Sequence, residues 1–208
     1  MSTRTADSQI TPTVAYMLEG QFQHEDFAGH KGTIGPGDLQ WMTAGRGIVH
    51  TEMPVKTQAP AHGLQLWINL PKEHKMCEPQ YQELLDGQVP RANPQEGVVI
   101  KVIAGESHGV TSKVYTRTPT MYLDFKMAPH KTVEQAIPSS YNGFIYGLKG
   151  TIFVGEEGVE GKSHQTLVLS QDGTETIKIS TKDEEAHFVV IAGQHGFERA
   201  KGWHSTIA

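Results

Sequence analysis

The sequence holds a single cysteine, Cys77, in 208 residues. That excludes an internal disulfide framework and predicts a reducing compartment, cytosol or nucleus. Runs of Lys or Arg are also lacking, and the net charge is -5 with both signs interspersed. The electrostatic footprint of direct nucleic-acid binding is therefore missing. No apolar stretch approaches the roughly 20 residues of a membrane span, and the opening MSTRTADSQ has no apolar core of a signal peptide. Together these predict a soluble intracellular protein without a membrane partner. Amphipathic runs at helical spacing are scarce, whereas glycines and β-branched residues are many, so almost no helix is expected.

What the chain does have is strand rhythm. With 37% hydrophobic residues it can bury one large core or two small ones. Short apolar runs recur about every ten residues, the spacing of all-β sandwiches and barrels. Strands are predicted over 14–18, 98–104, 112–115, 120–125 and 143–148, around the apolar residues Leu39, Trp41, Leu64, Leu66 and Trp67, and as a short strand and turn over 21–29. Gly35-Pro36-Gly37-Asp38 is a turn, because Pro36 presets φ at its first central position and Gly37 tolerates φ > 0 at the second. Residues 71–95 are rich in Lys, Glu, Pro and Gln and read as a connector with at most one short helix near Tyr81–Leu85.

The chain also echoes itself. Tyr16-Met17-Leu18-Glu19-Gly20 matches Tyr146-Gly147-Leu148-Lys149-Gly150, and Ala61-His62 is followed by apolar alternation much as Ala186-His187 is. A turn at Gln171-Asp172-Gly173 would answer the Pro-Gly turn of the first half. One β unit used twice, each of two packed sheets, is the expected architecture: a pair of jelly rolls, residues 1–95 and 96–208.

The candidate chemistry lies in the first unit. His50 and Glu52 stand at i and i+2, so on an extended backbone both point to one face. Imidazole plus carboxylate suits Fe(II), Mn(II), Ni(II), Cu(II) or Zn(II), and two His with one carboxylate is the non-haem iron pattern. The same pair also reads as a hydrogen-bonded surface pair. Trp41, Met42 and Phe22 read as core or as pocket lining, Cys77 as a bystander thiol, and Arg46, between two glycines, as a solvated loop residue or a protein contact.

The blocks HEDFAGHKGTIGPGDLQWMTAGRGIVHTEMP, AHGLQLWINLP, EPQYQEL, SKVYTRTPTMYLDF and HFVVIAG closely resemble the pirin family over nearly the whole chain. The resemblance implies a bicupin, two jelly-roll barrels with one iron in the N-terminal one, and a monomer. It implies a protein of nucleus and cytoplasm, an iron-dependent transcriptional coregulator acting through Rel-type (NF-kappa-B) factors. It also implies quercetin 2,3-dioxygenase activity on a flavonol, with Glu52 placed to take the flavonol hydroxyl proton.

The family holds its iron by three His and one Glu. The later His-x-Glu matches His50 and Glu52. The family's earlier His-Pro-His has no match, because Ala6, Asp7, Ser8 and Gln9 occupy that stretch and no histidine precedes His24. The chain thus resembles a pirin without its first strands and without an internal C-terminal segment after Gln194. An incomplete N-terminal barrel and weak iron binding are expected, with Asp7, His24, Asp26 and His30 as conceivable substitute donors and solvated turn histidines as the plainer reading. The alternative function is a metal-poor interaction module.

Overall fold

The computed structural model describes residues 5–9, 12–27, 29–56, 60–169 and 175–194. The first unit contains β1 (Thr5–Gln9), β2 (Thr13–Glu19), β3 (Phe22–Asp26), β4 (Lys31–Ile34), β5 (Leu39–Thr43), β6 (Ile48–Pro54), β7 (His62–Trp67) and β8 (Gln80–Leu84). They form two four-stranded sheets, β1-β6-β3-β4 and β7-β2-β5-β8. The second unit contains β9 (Arg91–Gln95), β10 (Val98–Ala104), β11 (Glu106–Ser107), β12 (Val110–Thr111), β13 (Thr120–Met127), β14 (Thr132–Ala136), β15 (Tyr141–Lys149), β16 (Thr151–Val154), β17 (Val159–Lys162), β18 (Thr166–Val168), β19 (Thr176–Ser180) and β20 (Ala186–Gln194). Its main sheets are β18-β15-β20-β13-β10-β9 and β14-β19-β16-β17, with β11-β12 as a small hairpin. The expected all-β bicupin is therefore the observed class, built as sandwiched sheets without a closed barrel among the described residues.

The Pro-Gly turn forms as its residues dictate. Gly37 sits at φ 86°, Asp38 N donates to Gly35 O at 3.0 Å, and the Asp38 carboxylate accepts Gly35 N at 2.9 Å. It does not close a hairpin. It carries the chain from β4 in one sheet to β5 in the other.

Three expectations are corrected. The 81–85 segment is not helical, because Gln80–Leu84 pairs along β5 from Leu39↔Leu84 to Thr43↔Gln80. Among the described residues nearby, the helical turns are the 3-10 turns Lys72–His74 and Asp86–Gln88. Arg91–Gln95, assigned by composition to the connector, pairs with β10. The 112–115 segment is not a strand, since the Ser112 hydroxyl takes over local backbone groups: it donates to Ile103 O at 2.7 Å and accepts Val114 N at 3.0 Å. A strand also forms at Thr5–Gln9, where the polar residues predict none. The Gln171–Gly173 turn lies outside the described residues.

The internal echo is structural. Tyr16↔Leu64 and Glu19↔His62 in the first unit correspond to Tyr146↔Val189 and Lys149↔His187 in the second, each with a bulge before the last pair. Strand alternation then sorts the side chains into three layers. Val14, Tyr16, Leu39 and Trp41 face out of the first unit onto Ile103, Tyr122 and Val189 of the second, making a buried layer between the units. Ile100, Leu123, Phe125, Phe188 and Ile145 fill the second unit's interior, with the Phe125 and Phe188 rings stacked at 4.9 Å. The first unit's interior is only thinly apolar.

Asp86 ties the two units together at the connector. Its carboxylate pairs with Lys101 and, at 2.7 Å, with Arg91, while its N–H donates to Asp38 at 2.7 Å. The hydrogen bond from Lys101, then the Lys101 and Arg91 charges, hold the Asp86 carboxyl below its ordinary value against the opposing effect of burial. A depressed folded-state pKa gives stability that is present above the unfolded value and lost as pH falls through the folded one. Asp86→Asn is therefore expected to flatten the acid limb of unfolding midpoint against pH below about pH 4. Chemical denaturation at stepped pH measures it.

Candidate metal centre

The first unit's interior takes its polarity from two paired strands. On β6, Ile48, His50 and Glu52 face inward, with His50 buried and Glu52 partly exposed. On β3, Phe22, His24 and Asp26 do the same. The antiparallel register sets His24 opposite Glu52 and Asp26 opposite His50. Directly opposed residues share a face, so four titratable side chains line one wall. The facing sheet adds Gln40, Glu83, Gln65 and Tyr81.

These groups are mostly tied to one another. His24 Nε2 lies 2.8 Å from Glu83 Oε1, and Gln40 Nε2 donates to the same oxygen at 2.8 Å. Asp26 accepts the His30 backbone N–H at 3.0 Å and meets His30 Nδ1 at 2.7 Å. Burial alone would raise the Asp26 carboxyl, but the bonds from His30 outweigh it and leave Asp26 below its ordinary value. Burial, then the neighbouring Asp26 and Glu83 carboxylates, push the Tyr81 phenol up. Glu52 accepts Gln65 Nε2 at 3.3 Å, and its other oxygen lies 3.6 Å from His50 Nε2, beyond hydrogen-bond length. Glu52 also floors a pocket of about 150 Å³ shared with Met17, Phe22, Leu64 and Gln65. A larger hollow of about 450 Å³ in the second unit, lined by Glu106, Ser112, Tyr115 and Tyr141, shares no residue with this wall.

The predicted residues thus sit as follows. His50 and Glu52 share the interior wall, as their spacing requires. Phe22 lines the Glu52 pocket, while Trp41 belongs to the layer between the units and Met42 to the interior core. His24 is no solvated turn histidine: it is 5% exposed within β3. His30 is an exposed turn residue engaged with Asp26. Arg46 is exposed and paired with Glu78 at 2.7 Å, and half-buried Cys77 gives its carbonyl to Arg46 N–H at 2.9 Å.

His24 needs Gly32. The two are opposed in the β3–β4 register, and a Cβ on Gly32 would come within 2.6 Å of His24 Nε2. Gly32→Ala is expected to push the ring off Glu83 and cost about 1–3 kcal/mol, read by denaturant unfolding. His24→Ala would relieve the clash, so the double variant should fall short of additivity.

His24 Nδ1 and His50 Nδ1 are buried without a hydrogen-bond partner, which is how imidazoles beside a held ion or water present themselves. The donor set is nevertheless too small, since no three His, Cys, Asp or Glu side chains converge among the described residues. The strand on the far side of β6 brings Ala6 into register with His50. Two donors do not fit an ion that requires three or four.

The Pirin profile matches residues 6–68 and the Pirin C-terminal cupin domain profile residues 122–203. Human pirin is 44% identical over 94% of this chain and 78% of its own length. The chain belongs to the pirin family. Rat pirin is 50% identical over 88% of this chain, which spans 62% of that relative's length. Among solved structures, quercetin 2,3-dioxygenase from Acinetobacter baumannii superposes with TM-score 0.87 at 27% identity, covering 98% of this chain and 72% of that one. No helix among the described residues is long and apolar enough to cross a membrane.

Proposed function

We propose that this pirin-family chain acts as an interaction module, a metal-poor bicupin that engages protein partners of the Rel (NF-kappa-B) type or their coregulators in nucleus and cytoplasm. The observation that carries this reading is the register of β1 on β6, which opposes His50 with Ala6 and leaves His50 and Glu52 as a pair of donors. The remaining inward groups are engaged elsewhere, His24 on Glu83 and Asp26 on His30.

A surface suited to protein contact accompanies it. Phe27 and Val49 are exposed side by side, Phe27 N donating to Val49 O at 3.1 Å, and Met53 is exposed further along the same face of β6, beyond Thr51. In this reading the exposed Phe27–Val49 pair is where a protein partner docks. Arg46 and Glu78 form an exposed ion pair beyond the start of the same strand.

The second reading is flavonol oxygenation. It is supported by the likeness to a quercetin 2,3-dioxygenase and by the pocket that Glu52 shares with Phe22 and Met17. In that reading Fe(II) or another divalent transition metal would supply dioxygen chemistry, and Glu52, close to the pocket, would accept the flavonol hydroxyl proton.

Metal content separates the two. Purified anaerobically with Fe(II), the folded chain is expected to hold no more iron than His50→Ala. About one ion per chain, abolished in His50→Ala, would sink the metal-poor reading and establish a site with a replacement donor.

A further inference from the structure

The first unit is poorly equipped to stay folded alone. Its interior offers Ala15, Met17 and Ile34 in one cluster and Met42, Ala44 and Ile48 in another. The polar wall lies on the same strands. The second unit's interior is one continuous cluster of eighteen buried apolar residues. The first unit's large apolar side chains, Tyr16, Leu39 and Trp41, point outward onto the second.

A polar chain crosses the same layer. Asp124 of β13 is 1% exposed, a carboxylate in an apolar layer that is costly unless held on both oxygens. Tyr16 of the first unit donates its hydroxyl to Asp124 Oδ2 across 108 residues of sequence. His187 of β20 meets Asp124 Oδ1 at 2.7 Å. Lys101 Nζ lies 3.3 Å from the same Tyr16 hydroxyl and pairs with Asp86, whose N–H donates to Asp38 in the Pro-Gly turn. The route His187–Asp124–Tyr16–Lys101–Asp86–Asp38 leads from the second unit's surface to the turn joining the first unit's two sheets. Tyr16 also meets the Tyr122 ring edge-on at 6.2 Å, so its ring is fixed where the hydroxyl is needed.

We propose that this bridge is a folding latch: the second unit holds the first one folded through Asp124, and the polar wall keeps its shape only while the latch is closed. The second unit is the scaffold and the first is its client. Opening is therefore one-sided. The first unit loosens as a body, while the second keeps its own core.

Hydrogen–deuterium exchange of the full chain tests this, with Tyr16→Phe on one side of the latch and His187→Gln on the other. Both keep the side chain's bulk. The expected result is exchange about tenfold faster in β3, β4 and β6, which carry neither substituted residue, in both variants, with β14, β16 and β19 unchanged. The double variant should add little to either single one. Three outcomes would overturn the latch: faster exchange only in β2, β13 and β20 beside the substitutions, equal acceleration in both units, or no change. His187→Gln is the sharper variant, because it alters the second unit and is expected to loosen the first.

Discussion

Placing a histidine at position 6 is expected to raise iron binding to about one ion per chain. Ala6 is the backbone partner of His50 across the β1–β6 ladder, and His50 and Glu52 share the face that a third donor must reach. Opposed positions in an antiparallel pair hold their Cβ atoms about 4.5–5.5 Å apart, close enough for two imidazoles to share an ion. Ala6→His would then complete two His and one carboxylate without changing the facing sheet. A four-donor structural site is worth roughly 10–16 kcal/mol, about 3 kcal/mol per donor, so affinity should rise by about a hundredfold or more. Metal content after anaerobic Fe(II) loading, or the visible spectrum of the Co(II) form, would read it. Adding His50→Ala to Ala6→His must abolish the gain. A folded Ala6→His chain that binds no better than its parent would refute the view that a missing donor opposite His50 is what limits the site.

What was legible in the sequence was what period and turn chemistry carry locally. Val98–Ala104 is a strand to the residue, the Pro-Gly turn has its glycine at positive φ, and His50 and Glu52 share a face because they are two apart on an extended chain. His24 and Asp26 were harder. Phe22, His24 and Asp26 alternate inward at period two, which is a strand signal, but their polarity hid which face was buried. That burial is decided by Glu83 and Tyr81, which reach the wall from β8. β8 carries a helical signal because Gln, Glu and Leu favour helix in isolation, and pairing with the edge of β5 overrides that preference. Asp124 was invisible for the same reason. Its partners Tyr16 and His187 are distant in sequence, and nothing local marks an aspartate that will be buried between units.

The internal echo was legible, and it makes the second large prediction. Gly20 and Gly150 close the matching strands at φ 65° and 72°. Each packs on the start of the corresponding partner strand: a Cβ on Gly20 would lie 2.6 Å from Pro60 O, and one on Gly150 would overlap Glu185 O. In both cases the obstacle is main chain just ahead of a paired strand, so no side-chain rotation relieves it. Left-handed backbone costs a non-glycine residue about 1–2 kcal/mol, and overpacking adds about 1–3 kcal/mol. Gly150→Ala and Gly20→Ala should therefore each lose about 3 kcal/mol, a fall in midpoint of about 6–12 °C for a chain of this size. Gly155 supplies the control, since it sits at φ 77° with nothing within 4 Å of its Cβ. Gly155→Ala should lose only the conformational part, about 1–2 kcal/mol. Equal losses at all three positions would mean that backbone conformation alone sets the cost and that close approach of the matched strands does not. A large loss at Gly20 and Gly150 alone would show one packing rule, written twice in the sequence, holding both units in shape.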